Sequence, residues 1–599
     1  MSESEPKSPR HPLDPLTVEE IEKASTLLHE EHELGESTLV IKIELDEPSK
    51  DALRSHERGE EAPPRRARAV IRDGAARETI EAVVSLTEEM VLRHEVIEGV
   101  QPSIAIEEFI ACEQTVKTNE EWRGALRERG VENTDRGMVD PWSAGHEFIP
   151  PSVDRSKRIV HGLTYLRPDD ESGDEGYAKP VKGLHTFLDL DRMEVVEIVD
   201  YGPPDKDNPL PEASMAYREV DVEFRDVAAY NVDQPDGPSW TVDGHKVEWQ
   251  GWHIRVGWSQ REGLVLHNVG YEDPEDGAVR RILDRGSVAE MSVPYGDQSR
   301  NDRWKNAMDV GEYNVGRLAK SLTNGCDCLG HMHYWDAVMN TAEGDPNVVE
   351  NAICLHEEDN GTLWERTDWR TESAEVRRRR RLVISFVAPV GNYDYIFNWY
   401  FYQDASIEIE VRLTGVDSVS ATAPDEDPQG YAEPIAPGLK GMIHQHFFNF
   451  RLDMSVDGGA NSLYRIENQE VPVGPDGLSP HDEADGRHHN PGGNAFYAAR
   501  KQLTSEAEAK ELIDPLSGRY WQVVNPERTN RLDRPTGYRL LPGENVEAAV
   551  QEESSVMKRS GFIKYHLWAT PHREDERFPA GEYPNQHPGG EGLPQWTQA

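Results

Sequence analysis

The 599-residue chain has few cysteines, few lysines and no long apolar run. Its four cysteines (Cys112, Cys326, Cys328, Cys354) are too few for a disulfide scaffold. No window approaches the ~18 consecutive apolar residues of a membrane-spanning helix. The first fifteen residues are polar and proline-rich, without the apolar centre of a signal peptide. We therefore expect a cytoplasmic protein with no membrane partner.

Positive charge is also scarce. The chain has 64 Lys and Arg against 111 Asp and Glu, a net charge of −47, and only 17 of the basic residues are lysines. Such a polyanion repels phosphate groups, which excludes charge-driven binding of nucleic acid. Five consecutive arginines, at 377–381, are interpreted as an exposed turn that pairs with the acidic surface. Screening by salt relieves self-repulsion, so the composition predicts a halophilic protein.

The N-terminal third shows a helix followed by antiparallel strands, twice. A capping box, in which Thr17 precedes Glu20, predicts a helix over 17–28, followed by a strand over 39–45 and a hairpin over 68–86. Helices over 104–112 and 119–129 then precede strands at 158–166 and 185–199. We predict two small α+β domains, residues 12–103 and 104–210.

The rest of the chain is rich in β-strand patterns. After a proline-rich linker, apolar runs alternate with Gly, Pro and Asp turns, at 247–258, 263–269, 382–387, 396–402 and 407–413. A helical pattern over 500–512 is interpreted as an excursion from the sheets. The prediction is one large antiparallel β-sandwich over 225–599, which makes the whole chain α+β.

Two His-x-His pairs are candidate metal ligands. In a strand, residues i and i+2 share a face, so the imidazoles of His444 and His446 can converge on one ion. An apolar stretch that begins at Phe447 follows them, and free imidazoles are costly there. His331 and His333 follow a Gly/Cys turn and are expected in a surface loop.

Other residues with reactive side chains allow more than one interpretation. Cys326, Cys328 and Cys354 allow a thiolate zinc site or one bridge from Cys354 to either of the other two. The absence of C-x-x-C spacing favours the bridge. Asp309 lies among apolar residues and glycine, where burial would raise the pKa of a carboxyl and suit it to act as a base.

Motifs in a fixed order identify a resemblance. Gly391-Asn392-Tyr393-Asp394-Tyr395, then His444-Gln445-His446 and Arg451-Leu452-Asp453-Met454, resemble the copper-containing, topaquinone-dependent primary amine oxidases. Further matching segments lie at 247–250, 261–267, 289–297, 309–313, 325–330, 354–359 and 575–587.

The resemblance implies a role for each matching residue. Tyr393 would be the topaquinone precursor and Asp309 the base that takes the α-proton of the amine. Tyr295 and Asn392 would orient the quinone. His444 and His446 would be two of three copper ligands.

The resemblance also implies structural features and a reaction. Cys328 and Cys354 would form a disulfide, and Asp453 and the Met454 carbonyl would bind a peripheral calcium or manganese ion. The reaction would be R-CH₂-NH₂ + O₂ + H₂O → R-CHO + NH₃ + H₂O₂. The partners would therefore be a small primary amine, O₂ and a second copy of the chain in a homodimer.

Two departures from the family pattern qualify this hypothesis. The third copper histidine is expected well beyond Gly592-Leu593-Pro594, and this sequence ends at Ala599, so we expect an incomplete C-terminus. His566, His572 or His587 would have to substitute for it. The alternatives are a catalytically silent remnant of the fold, and a His-x-His metalloenzyme without a quinone. Second, Ala307 stands where a bulky gate residue is usual, which predicts a wide entrance for arylalkyl amines.

Overall fold

The computed structural model describes residues 10–31, 35, 37–168, 176–207, 209–211, 226–423, 425–472, 490, 493–543 and 545–597. Antiparallel ladders join the strands into several sheets. This architecture confirms the predicted class, small N-terminal α+β units before a large sheet-rich unit.

The first unit is a four-stranded sheet in the order β1-β2-β3-β4, covered by helix α1. Ile21, Ala24 and Leu28 of α1 are buried against it, as the helical spacing predicts. The predicted capping box is present, because the Thr17 N–H donates to Glu20 Oε2 (2.9 Å) and the Glu20 N–H donates to Thr17 Oγ1 (3.2 Å). The elements are α1 Val18–Glu31, β1 Thr38–Leu45, α2 Lys50–Glu57, β2 Arg66–Asp73, β3 Glu78–Ser85 and β4 Met90–Ile97.

The second unit repeats this plan with the sheet order β5-β6-β7-β8. Trp122 is fully buried, and Gly137 is required beside it because a Cβ there would lie 2.4 Å from its ring. The single strand predicted over 185–199 is wrong, since a turn at 190–193 divides it in two. The elements are α3 Ile106–Lys117, α4 Glu120–Glu128, β5 Gly137–Ser143, β6 Ile159–Leu166, β7 Pro180–Asp189 and β8 Glu194–Asp200.

Two large sheets pack face to face in the third unit. A seven-stranded sheet, β14-β13-β12-β11-β10-β9 with β23 paired to β13, lies over the five-stranded sheet β15-β16-β17-β18-β19. Apolar side chains of both sheets, such as Trp252 and Phe401, form one continuous core between them. The strands are β9 Thr241–Asp243, β10 Lys246–Trp249, β11 Trp252–Ser259, β12 Gly263–Glu272, β13 Val279–Pro294, β14 Asn306–Ala307, β15 Met332–Asn340, β16 Pro346–Asp368, β17 Ser373–Val390, β18 Tyr393–Tyr402, β19 Ile407–Gly415, and later β23 Phe447–Met454.

Smaller elements complete this unit. Helix α5, Asp309–Tyr313, follows β14. Three further sheets have the orders β20-β22-β21, β25-β24-β27-β28 and β26-β29. Their strands are β20 Val419–Ala421, β21 Ala432–Ala436, β22 Leu439–Met442, β24 Ser462–Glu470, β25 Phe496–Leu503, β26 Lys510–Glu511, β27 Tyr520–Thr529, β28 Pro535–Leu540 and β29 Leu567–Trp568, and the last helices are α6 Ser555–Arg559 and α7 Leu593–Trp596.

Three local predictions for this unit are wrong. Residues 500–512 are not helical, because 500–503 belong to β25, which pairs with β24, and β26 follows. The arginines at 377–381 lie in the long strand β17, where Arg381 Nε donates to Glu358 of β16 at 2.7 Å. They do pair with carboxylates, as predicted, but across a hairpin. His333 lies in β15, with its ring 4.4 Å from that of Trp335. In each case long-range strand pairing decided the conformation.

Within the described part of the chain, no helix is both long and apolar enough to cross a membrane.

Candidate active site

Tyr393 is the first residue of β18, directly after the tight turn that joins β17 to β18. In this turn Gly391 has a φ of +59°, which favours glycine. The buried side chain of Asn392 donates through Nδ2 to the Val416 carbonyl at 2.6 Å. The turn is thereby held in place, and it presents Tyr393 at the end of the sheet.

The imidazoles of His444 and His446 lie against the Tyr393 ring. Their ring centroids are 4.8 Å apart, and His444 Nε2 lies 2.9 Å from the Tyr393 hydroxyl. His444 Nδ1 lies 2.7 Å from the Met442 carbonyl, which can only accept, so Nδ1 carries the proton. The lone pair of Nε2 therefore points at Tyr393. Burial, and next the charge of His444, lower the pKa of His446 to about 3, which keeps that ring neutral and able to bind a metal.

The Tyr393 phenol is protonated at neutral pH. Burial raises its pKa to about 12, although hydrogen bonds from the Ser418 N–H (3.1 Å) and from Tyr295 favour the anion. The buried Tyr295 is fixed to the histidine segment by a backbone bridge to His444, and the two rings stack at 4.8 Å. Tyr295 thus connects the end of β13 to both Tyr393 and the histidine pair.

Asp309 is buried at the start of α5. Its carboxyl hydrogen-bonds the hydroxyl of Tyr395, which lies two residues after Tyr393 in β18. The Tyr395 hydroxyl is also 3.3 Å from His446 Nδ1. Burial, and next the carboxylates of Glu312 and Glu290, raise the pKa of Asp309 well above its ordinary value. A continuous contact chain therefore runs from Asp309 through Tyr395 to His446.

A network of buried ionisable groups holds α5 in position. Glu290 Oε1 accepts from the Gly311 N–H at 3.0 Å, and Glu312 accepts from the Met308 N–H at 2.9 Å and from Arg559. The sequence motifs did not predict roles for Glu290, Glu312, Arg559 or Tyr395. For Tyr395 a signal existed, because its i+2 spacing from Tyr393 places both on one face of β18.

A cavity of about 220 Å³ opens beside these residues. Tyr295, Asn392, Tyr393 and Asp309 all contribute to its wall, so four of the predicted catalytic residues meet at one space. Other lining residues come from α3 and β5 of the second unit and from the strands around the site, and include Ile106, Phe109, Asp140, Trp142, Ala307 and Leu318. The cavity is large enough for a small organic amine.

The donor set for a metal consists of two imidazoles and the Tyr393 phenol. These residues fit copper, since neutral imidazole is among its preferred ligands and the phenol already contacts one of the rings. Among the described residues, no three His, Cys, Asp or Glu side chains are grouped as metal ligands. The three histidines considered as substitutes have other contacts: His566 with the Ile513 N–H, His572 with Asp453, and His587 with the Gly589 N–H.

The residues around Asp453 do not fit the expected peripheral calcium or manganese ion. Asp453 Oδ1 accepts from Lys50 Nζ at 2.6 Å, and Oδ2 lies 3.1 Å from His572 Nδ1. The Lys50 ammonium thus pairs with the Asp453 carboxylate. The sequence had predicted that this carboxylate and the Met454 carbonyl would bind a metal ion. The basic side chain comes from α2 of the first unit, a contact that the local motif could not reveal.

Cys328 and Cys354 lie together, with their Sγ atoms 3.0 Å apart and no disulfide between them. The structure therefore brings together the two cysteines of the expected pair. Cys326 is exposed and Cys112 is buried elsewhere, in the second unit.

Comparison with known proteins agrees with this geometry. The family model described as "Copper amine oxidase, enzyme domain" matches residues 241–599, and those for the N2 and N3 domains match residues 11–97 and 107–216. The chain belongs to the copper amine oxidase family. Its activity class is that of the primary-amine oxidases, oxidoreductases for which copper and topaquinone are the family's cofactors.

Similar proteins cover almost the whole chain. "Primary amine oxidase" of Arthrobacter sp. (strain P1) is 40% identical over 593 residues, 98% of this chain and 87% of the relative. "Histamine oxidase" of Arthrobacter globiformis is 40% identical over 595 residues, 98% of this chain and 83% of the relative. The solved copper-containing benzylamine oxidase from Hansenula polymorpha superposes with a TM-score of 0.86 at 25% identity, covering 98% of this chain and 91% of that one.

Proposed function

We propose that this chain oxidises primary amines with copper and a topaquinone formed from Tyr393. The observation that carries the proposal is the contact of the Tyr393 hydroxyl with His444 Nε2, 2.9 Å away, at a cavity that also contains Asp309. A tyrosine that is to be converted in place needs the metal ligands at its own ring, and these two imidazoles meet that requirement. His444 and His446 would hold the copper, which would supply the O₂ chemistry, and a quinone formed from Tyr393 would supply an electrophilic carbonyl able to take up electrons.

In this proposal Asp309 is the general base. The raised pKa makes the Asp309 carboxylate a stronger base, which suits it to remove the proton from the α-carbon of the amine. The Tyr395 hydroxyl orients the carboxyl, and the backbone contacts of Glu290 and Glu312 fix the helix that carries it. The base is thus held at the cavity wall before substrate arrives.

Tyr295 and Asn392 act as positioning residues. Tyr295 is buried and stacked on His444, so its hydroxyl has a fixed place beside the Tyr393 oxygen. Asn392 anchors the turn immediately before Tyr393 through the Val416 carbonyl. Together they restrict the rotation of the side chain at position 393, which an oriented cofactor requires.

Assembly as a homodimer is part of the proposal. The hairpin of β16 and β17 has 23- and 18-residue strands, and its outer part exposes the large apolar side chains Trp364 (50%) and Trp369 (73%). Exposed aromatic residues on an arm of this length favour burial against a second subunit.

A disulfide between Cys328 and Cys354 is supported by the proximity of their sulfur atoms. A cytoplasmic location and adaptation to high salt rest on the sequence composition. Two of the similar proteins, from Nicotiana tabacum, carry "peroxisomal" in their names.

The test is a redox-cycling quinone stain on denatured protein, after expression in high salt with copper and air. Wild-type protein should stain and Tyr393→Phe should not. Asp309→Asn should keep the stain yet lose about 10²–10⁴-fold in kcat/KM, because only the base is removed. Folded, copper-exposed wild type without stain would contradict the proposal and favour the silent remnant. Amine turnover by Tyr393→Phe would favour the metalloenzyme without a quinone.

A further inference from the structure

The substrate cavity contains a second carboxyl group besides the base. Asp140, in β5 of the second unit, lines the same cavity as Tyr393 and Asp309. Its neighbours in the wall are mainly apolar or aromatic, among them Ile106, Phe109, Trp142 and Leu318. The mechanism proposed above uses Asp309 and gives Asp140 no role.

Asp140 lies close to the turn that carries Tyr393. Its Oδ2 accepts from Trp142 Nε1 at 3.1 Å, and the same atom is 3.6 Å from where a Cβ on Gly391 would be. This distance is an ordinary van der Waals contact, so the carboxyl lies directly beside the turn. Trp142 and the turn together fix the carboxyl at the wall of the cavity.

No positive group of the described chain neutralises this carboxyl. None of the ion pairs within 4.0 Å in the described residues includes Asp140, and the charged neighbour that acts on it is another carboxylate, Glu113 of α3. Burial, despite the Trp142 hydrogen bond, raises the pKa of Asp140 to about 6. Above that pH Asp140 is ionised, and no cation offsets the free energy lost when its carboxylate leaves water. A cationic group on a ligand would pair with this carboxylate.

We propose that Asp140 binds the distal ammonium group of the substrate, so that this enzyme prefers α,ω-diamines to monoamines of the same length. One amine reaches Tyr393 and Asp309, and the other pairs with Asp140 across the same cavity. The inference rests on the proposed function, since it names the substrate class of that site. The preference comes from a charge that the cavity itself leaves unpaired.

The kinetic test compares putrescine with butylamine and cadaverine with pentylamine. Wild-type kcat/KM should be higher for each diamine than for the matching monoamine. Asp140→Asn should reduce that ratio by about ten- to a hundredfold, the range expected for a hydrogen bond to a charged group. The asparagine oxygen can still accept from Trp142 Nε1, so the change removes the charge while the wall keeps its shape.

Two control variants test whether the charge of Asp140 is what produces the preference for diamines. Glu132→Gln removes one carboxylate from the exposed surface of the same unit and should leave the ratio unchanged. Asp140→Glu keeps the charge and should retain a diamine preference. If Asp140→Asn shows the wild-type ratio, the inference is overturned.

A binding measurement makes the outcome independent of turnover. Calorimetric titration of the Tyr393→Phe protein, in which no quinone can form, should show tighter binding of putrescine than of butylamine. The double variant with Asp140→Asn should lose the difference. Diamine-selective binding without turnover in the wild type would support Asp140 while contradicting the proposed function. Turnover of both amine classes without selectivity would contradict only the role of Asp140.

Discussion

Replacing Glu290 by glutamine should change both the stability and the pH profile of this enzyme. Glu290 lies in β13 and is fully buried. Its Oε2 has no hydrogen-bond partner and is 3.7 Å from Arg261 Nη2. Burial raises its pKa to about 7, against a smaller opposing effect of Arg261. The difference from the ordinary carboxyl value corresponds to about 3 kcal/mol.

The folded protein binds the Glu290 proton more tightly than the unfolded protein does, and this determines how stability changes with pH. Because the pKa is higher in the folded protein, the contribution of Glu290 to stability is complete below about pH 4.5 and is lost as the pH rises through about 7. Between about pH 5 and about pH 8 the free energy of unfolding of the wild type should therefore fall by about 2 kcal/mol more than that of Glu290→Gln. The amide oxygen of glutamine can still accept from the Gly311 N–H, so the support of α5 is retained.

The assay is denaturant unfolding of both proteins at the two pH values, followed by tryptophan fluorescence. Glu132→Gln, which removes one carboxylate from the exposed surface, should show the same pH dependence of stability as the wild type. A second readout is the pKa of Asp309 in the kcat/KM profile at and above about pH 7, where Glu290 is ionised: it should be lower in Glu290→Gln, because a negative charge that raises it is gone. Equal pH dependence of stability in wild type and variant would refute the reasoning.

Two further predictions concern the cavity entrance and the hairpin. Ala307 is buried in the cavity wall, so Ala307→Phe should lower kcat/KM for phenylethylamine more than for methylamine; an equal loss for both amines would show that residue 307 does not select by size. Light scattering should give the mass of a dimer for the wild type, and Trp369→Glu should weaken the dimer because a charge would replace an exposed aromatic ring at the end of the arm. A monomeric wild type would contradict this role of the hairpin.

The sequence by itself determined the features that depend on neighbours along the chain. The capping box before α1 forms as predicted, because both of its hydrogen bonds join residues three apart. The strands around Tyr393 follow from the apolar runs and the glycine turn before them. The His-x-His spacing predicted that the two imidazoles share a site, and they do, although they lie between β22 and β23 and not in a strand as predicted. The order of the motifs identified the family.

Only the tertiary structure decided the features that depend on distant pairing. The pattern over 500–512 suits a helix, yet the ladder between β24 and β25 overrides that local preference. The environment of Asp309 combines Glu290 from β13 with Arg559 from α6, residues far apart in sequence that burial brings into one network. Asp140 has no motif around it, and it becomes a candidate substrate contact only because the second unit packs its strand β5 against the cavity. Local spacing specifies which groups are available, whereas long-range packing determines which charges end up buried together.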